Sequence, residues 1–159
     1  MKNKPFFPMF VDISTYRIVV IGAGKVAERR IETLLLFSEH IKVAAPEATG
    51  KIKAYAKEGR IRLERTRYKQ ELIQNADLVL AATNDPVCNE QVAAECKRLG
   101  IPVNVSHKKE LCDFYFPGIA VCGNLTAAVT SGGCDHKQAR KAREEITILL
   151  EKLEEEHQG

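Results

Sequence analysis

The chain has 159 residues, 45% hydrophobic and 28% charged, and 24 basic against 21 acidic side chains leave a net charge of only +3. A chain of this length is one domain's worth and buries roughly 70% of the surface its unfolded form exposes; the abundance of Ile, Val, Leu and Ala excludes disorder, and 10 Gly with 6 Pro exclude collagen-like or linker sequence. No apolar run reaches the roughly 18 residues of a membrane span, and no basic block interleaved with aromatics points to nucleic acid.

The elements alternate in chain order. The basic start, Met1 to Pro5, runs into Asp12 without a small-residue cleavage site, so no signal peptide is expected. Residues 17–21 (RIVVI) form a short apolar run that predicts a strand buried on both faces. Helical spacing follows over 25–38, in the apolar positions Val26, Ala27, Ile31, Leu34 and Leu35. A second strand over 41–45 is stopped by Pro46, and a helix over 47–58 turns Ile52 and Tyr55 inward. Residues 60–66 alternate as a more exposed strand, 70–75 predict a short helix, and 77–83 (DLVLAAT) another buried strand. Asp85-Pro86 opens a helix that Gly100 ends, the Asp as cap and the Pro in the first turn. A fifth strand covers 101–105. Beyond residue 106 two apolar runs, 114–121 and 125–130, meet at Gly123-Asn124 as an antiparallel hairpin, and a charged helix over 137–156 follows. The fold class is therefore α/β: a Rossmann-type parallel sheet with an appended β-hairpin and helix. The division expected is a dinucleotide-binding domain over 1–110 and a hairpin-and-helix region over 111–159.

Gly22-Ala23-Gly24-Lys25-Val26-Ala27 matches GxGxxA between the first strand and the first helix. There Gly22 permits the tight turn, Gly24 admits a pyrophosphate to the backbone, and Ala27 allows close helix–strand packing. The helix N-terminus adds unpaired N–H groups and partial positive charge. The bland reading is a glycine turn in an empty Rossmann-like domain. The acid that usually ends the second strand is displaced: the run is Ala44-Ala45-Pro46-Glu47, and Glu47 either reaches the adenosine ribose or caps the next helix. With no Arg at that strand end, NAD is favoured over NADP.

Several segments together resemble the precorrin-2 dehydrogenase/sirohydrochlorin ferrochelatase family, the dehydrogenase module of siroheme synthase. They are 5–12 (PFFPMFVD), 20–30 (VIGAGKVAERR), 45–47 (APE), 81–85 (AATND) with Asn89, 103–105 (VNV), 112–114 (CDF), Phe116-Pro117, Leu125-Thr126 and Ser131-Gly132-Gly133. Their order is kept over almost the whole chain. The resemblance implies NAD-linked oxidation of precorrin-2 to sirohydrochlorin in siroheme or alternative haem biosynthesis, a homodimer, expected to be built on the hairpin and last helix, and in some members insertion of ferrous iron. It implies a cofactor site of Gly22, Ala23, Gly24, Lys25, Val26, Ala45, Pro46, Glu47, Thr83, Asn84, Asp85 and Asn104.

Three positions depart from the family pattern. Where the family carries Asn-Val-x-Asp, with that Asp proposed as general base, this chain reads Asn104-Val105-Ser106-His107. The family's Ser-Gly-Gly-x-Ser-Pro turn becomes Ser131-Gly132-Gly133-Cys134-Asp135-His136, and a further helical region of the family does not occur within the 159 residues. His107 is the expected catalytic residue, as a base available near neutral pH; a metal or axial ligand and a surface histidine are the competing readings. A neutral imidazole serves dehydrogenation better than iron insertion, so ferrochelation is expected to be weak or absent. The five cysteines, an odd number without a CxxC pair, fit free thiols in a reducing compartment. Cys112, Cys122 and Cys134 with His107 and His136 lack zinc-site spacing, so no metal is assigned, and Cys88 and Cys96 read as small core residues.

On the last helix Ala139, Ala142, Ile146, Leu149, Leu150 and Leu153 form a narrow stripe that suits core packing or a helix-to-helix dimer. Lys137 and Arg140, beside Ser131 and Gly132, are the expected binding residues for a tetrapyrrole with several carboxylates; a solvated face is the alternative. Two functions are carried forward: an NAD-dependent precorrin-2 dehydrogenase, or a non-catalytic dimer that binds NAD or a tetrapyrrole as carrier, sensor or partner. A regulatory nucleotide-binding domain of the ion-transport type is more distant, because it asks for neither the hairpin nor the Ser-Gly-Gly turn.

Overall fold

A computed structural model describes residues 6–158. The basic start and the first residue of the 5–12 motif, Met1 to Pro5, lie outside the described residues. The chain forms two compact units, one comprising Phe10–Phe114 and the other built from the flanking residues, up to Met9 and from Tyr115.

The larger unit holds five parallel strands: β1 (Ile18–Ile21), β2 (Ile41–Ala44), β3 (Arg62–Glu64), β4 (Leu78–Ala81) and β5 (Val103–Val105). Their order is β3-β2-β1-β4-β5, so the chain leaves β1 for one edge and crosses back to β4 on its other side. The register sets Ile21 beside Ala44 and Ala81, so β1, β2 and β4 end level. Ile18, Val20, Val79 and Leu80 are fully buried. Each such side chain contributes about 1.5–3 kcal/mol on burial, which is why the apolar runs read from sequence became the central strands.

The helices depart from expectation at their ends. Helix α1 (Lys25–Leu34) buries Ala27, Ile31 and Leu34 at helical spacing. It stops short of the expected Ser38, because Leu36 and Phe37 N–H groups bond the carbonyls of Thr33 and Leu34 three residues back, tightening the last turn. Leu36 is left largely exposed. Helix α2 (Gly50–Lys57) begins three residues later than expected, because the Thr49 hydroxyl accepts the Ile52 N–H and makes Thr49 the cap. Glu47 is therefore not a helix cap. The expected helix over 70–75 is a single 3₁₀ turn, Gln70–Leu72, after which Ile73 is fully buried. Helix α3 (Pro86–Leu99) starts at the expected Asp85 cap, whose carboxylate accepts the Val87 N–H at 2.9 Å.

In the smaller unit β6 (Gly118–Cys122) and β7 (Leu125–Val129) pair antiparallel, with Cys122 opposite Leu125 across the Gly123-Asn124 turn. Gly123 has φ +54° and Asn124 has no positive φ, so the turn takes the II′ form with glycine first. Helix α4 (His136–Gln158) packs on this hairpin. The Asp135 carboxylate caps it by accepting the Gln138 N–H. The apolar stripe divides: Ala139, Ala142, Ile146 and Leu150 are half-buried, whereas Leu149 and Leu153 join Ile148 on the exposed side. No described helix is long and apolar enough to cross a membrane.

Candidate functional site

The level ends of β1, β2 and β4 open into a cleft of about 750 Å³, within the range of a cofactor pocket. Gly22 turns the chain out of β1. Its N–H bonds the Ala44 carbonyl at 2.9 Å, and its φ of +106° is closed to most other residues. A Cβ there would stand 2.3 Å from the Ala82 carbonyl oxygen, so the residue is required by the fold itself. Gly24 is the opposite case. It caps α1 with an ordinary extended backbone, and no protein atom lies within 4 Å of where its Cβ would be. Gly24 itself lines the cleft. The first N–H groups of α1 have no intrahelical partners, so the cleft ends on a helix N-terminus with its backbone bare. The Thr49 N–H bonds the Ala23 carbonyl at 3.1 Å, tying the loop after β2 to the glycine turn.

Nine of the expected cofactor residues line this cleft: Gly22, Ala23, Gly24, Ala45, Pro46 and Glu47 on one side, Thr83, Asn84 and Asp85 on the other. Three do not. The Lys25 ammonium bonds Glu28 at 3.2 Å and Val26 is exposed, and neither lines the cleft. Asn104 is buried in β5, where its Nδ2 donates to the Phe114 carbonyl at 2.8 Å and holds the chain leaving the sheet. Glu28, in the first turn of α1, is held below the usual carboxylate range, first by the Thr49 hydroxyl and then by Lys25.

Thr66, Arg67 and Tyr68 also line the cleft and were not expected. The signal was in the strand order: β3 pairs with β2 so that Glu64 lies beside Ala44, and residues following each strand must share one wall. The wall beside Glu47 therefore carries a cation from β3, although β2 itself ends without one. The Tyr68 phenol is pushed up to about 12 by burial. Cys88 packs against the core as expected and also lines the cleft, whereas Cys96 is fully buried and its thiol is pushed up to about 12 by burial.

Behind Thr83 lies a buried polar cluster. Asn89 on α3 is wholly buried; its Oδ1 accepts the Thr83 N–H at 3.0 Å and its Nδ2 donates to the Thr83 carbonyl at 3.1 Å. The Thr83 hydroxyl adds a 2.7 Å bond to the same Oδ1. Asn89 Nδ2 also lies 3.3 Å from Nδ1 of His107. His107 is an exposed residue whose ring is partly covered, outside the cleft lining, with its Nε2 3.9 Å from Glu90 Oε1. Lys108 holds that carboxylate at 2.8 Å and keeps it below its ordinary range. Cys112 is engaged by the same loop, its Sγ accepting the Val105 N–H at 3.1 Å. No group of three His, Cys, Asp or Glu side chains gathers as a metal site among the described residues.

In the smaller unit the Ser131 hydroxyl accepts the Asp135 N–H at 3.0 Å, and the Gly132 N–H bonds the Thr130 hydroxyl at 3.1 Å. Both shape the turn entering α4. Lys137 and Arg140 are exposed on the first turns of that helix, and Arg140 pairs with Glu144 at 2.9 Å.

Strand order, glycine turn and cleft define a Rossmann-type dinucleotide-binding protein. A family model described as "Putative NAD(P)-binding" matches residues 9–118. The chain belongs to this NAD(P)-binding family and, within it, to the siroheme-synthase group that its motifs resemble. It is 35% identical over 141 residues to the "Probable multifunctional siroheme biosynthesis protein HemA" of Ruminiclostridium josui, covering 88% of this chain and 27% of that one. It is 34% identical over 149 residues to a siroheme synthase of Nitrosospira multiformis, covering 91% and 32%. The chain thus spans about a third of the length of these relatives. Its fold matches the solved structure of SirC, precorrin-2 dehydrogenase, with a TM-score of 0.79 and 24% identity over 89% of this chain and 69% of that one.

Proposed function

We propose that the chain oxidises precorrin-2 to sirohydrochlorin with NAD in siroheme or alternative haem biosynthesis, with ferrochelation weak or absent. The observation that carries this reading is Gly24, lining the cleft at the head of α1 with open space at its Cβ position, in a chain whose relatives are siroheme synthases. Gly24 and the α1 N-terminus fit a pyrophosphate, and Ala45 to Glu47 line the part of the cleft suited to the adenosine ribose. When bound, the nicotinamide supplies the hydride acceptor. The protein's own residues orient it: Thr83, Asn84 and Asp85 form the far wall, with Thr83 held by Asn89. NAD is favoured over NADP because β2 ends without a cation and Glu47 faces the cleft, where its carboxylate would repel a 2′-phosphate; Arg67 from β3 works against that preference.

His107 is the proposed catalytic side chain, on the loop after β5. Ser131, Gly132, Lys137 and Arg140 are the proposed contacts for the substrate's carboxylates, since exposed Lys and Arg beside a turn suit anionic groups. The proposed organisation is a dinucleotide domain over 1–110 and a dimerisation region over 111–159, working as a cytoplasmic homodimer. Incubation with precorrin-2 and NAD, followed by sirohydrochlorin absorbance, tests the reading. Absence of turnover with intact NAD binding transfers it to a non-catalytic binding dimer.

A further inference from the structure

We propose that Asn89 is a positioning residue that fixes His107 in its Nε2–H tautomer, so that the histidine meets its ligand as a hydrogen-bond donor and not as a proton acceptor.

Two backbone groups of Thr83 face the Asn89 amide, and their roles are fixed. An N–H can only donate and a carbonyl can only accept. The Thr83 N–H therefore identifies the Asn89 atom 3.0 Å away as oxygen, and the Thr83 carbonyl identifies the one 3.1 Å away as the NH₂ group. Rotating the amide by half a turn would set donor against donor and acceptor against acceptor inside a fully buried site. Each buried group left unsatisfied costs roughly 1–3 kcal/mol, so the amide is held in one orientation.

One hydrogen of Nδ2 goes to Thr83. The other is directed at His107 Nδ1, 3.3 Å away. That nitrogen must then be the acceptor, and the ring proton sits on Nε2. A proton arriving at Nδ1 would face the Asn89 N–H head on, so the only lone pair of the neutral imidazole is already committed. The Nε2–H, by contrast, has no bonded partner among the described residues. Its nearest carboxylate oxygen, on Glu90, lies 3.9 Å away and is held by Lys108. Because Lys108 neutralises the Glu90 carboxylate, the N–H stays available to another acceptor, and on the proposed function that acceptor is a substrate carboxylate. The donor role rests on that reading of the substrate; the tautomer does not.

The test uses the full-length protein labelled with ¹⁵N, and long-range proton–nitrogen correlation of its histidine rings at neutral pH. His107 is one of only four histidines, and its signals are assigned by their loss in His107→Gln. The expected pattern is a single Nε2–H tautomer. An Nδ1–H, tautomer-averaged or doubly protonated ring overturns the proposal. Asn89→Asp keeps the bond to the Thr83 N–H and sets its second oxygen, as an acceptor, against both Nδ1 and the Thr83 carbonyl. It should convert the ring to the Nδ1–H or doubly protonated form, and an unchanged pattern in a folded variant overturns the proposal equally. Addition of sirohydrochlorin to the wild type should move the Nε2–H resonances with the proton still on Nε2; transfer of the proton or no response refutes the donor role. Failure to oxidise precorrin-2 in a separate assay would remove the dehydrogenase reading and leave these spectra to be judged by themselves.

Discussion

Gly24 separates the demands of the fold from those of a ligand, so its substitution is the sharpest probe of the cleft. Its φ of −85° and ψ of −170° are open to any residue, and a Cβ would touch no protein atom within 4 Å. As an N-cap, Ala or Val is poorer than Gly by up to about 1 kcal/mol, partly offset by about 0.4–1 kcal/mol from restricting the unfolded chain. The net change in stability should stay within about 1 kcal/mol, a shift of roughly 2–4 °C in Tm for a chain of this size. A bound pyrophosphate would feel far more. Hydrogen bonds to a charged group contribute about 1.5–3 kcal/mol each, so displacing one from the α1 N-terminus should weaken NAD about 10- to 100-fold. Gly22→Ala provides the contrast, because it combines φ +106° with a 2.3 Å approach to Ala82. Strain of that kind costs roughly 1–3 kcal/mol for the backbone and as much again for the overlap, so Tm itself should fall. Calorimetric titration with NAD, alongside thermal melts, reads both. A folded Gly24→Val protein that binds NAD as tightly as wild type would sink the cleft assignment.

Three further outcomes are expected. Asp85→Ala removes the α3 cap and should cost about 1 kcal/mol, seen in denaturant unfolding, with Asp85→Asn retaining most of it. Asp77, at the head of β4, accepts three bonds from Arg17 at the head of β1, and the Arg17 side chain first and its backbone N–H next lower its carboxyl to about 2. A carboxyl depressed on folding stabilises the protein above its unfolded value of 3.8 and loses that contribution as pH falls toward 2, so Asp77→Asn should flatten the acid limb of the stability profile in that window. On the proposed homodimer, the wild type should sediment as a dimer at on the order of tens of micromolar and Leu149→Glu with Leu153→Glu, on the outward side of α4, as a monomer; a monomeric wild type overturns the dimer, and an unaltered dimer would place the interface elsewhere.

What was legible in the sequence is what backbone geometry imposes. The alternation of apolar runs and helical stripes set the parallel sheet, and Gly22-x-Gly24 identified the turn, because a positive φ and a bare backbone leave few residues to choose from. Asp85-Pro86 with Gly100 marked both ends of α3 for the same reason. Helix ends governed by a hydroxyl or a tightened turn were misplaced, as at Thr49 and Leu36, since propensity does not say which of several adjacent residues accepts the first N–H. Arg67 and Tyr68 escaped because they join the cleft through the pairing of β3 with β2, not through any local motif. Asn104 joins the expected cofactor set through its motif, whereas in β5 its Nδ2 donates to the Phe114 carbonyl and its buried Oδ1 has no hydrogen-bond partner among the described residues. His107 was visible as a departure from the family, but not the fact that Asn89 holds its Nδ1.

That last contact decides what the departure means for iron. The Asn89 NH₂ offers a hydrogen to whatever stands at position 107. A carboxylate there would spend one oxygen on Asn89 and keep the other as an acceptor; an imidazole spends its single lone pair and turns a donor outward. Chelation must remove two pyrrole protons and draw in a dication, and both steps ask for an acceptor with negative charge. At about 4 Å a carboxylate attracts each unit of positive charge by roughly 1–4 kcal/mol, depending on solvent exposure, and a dication feels twice that. His107→Asp fits the same Asn89 donor, so it should fold and should insert Fe²⁺ into sirohydrochlorin faster than wild type under anaerobic conditions. His107→Ala, lacking donor and acceptor alike, should do no better than wild type. Equal chelation by wild type and His107→Asp would show that the polarity at this position does not control iron insertion.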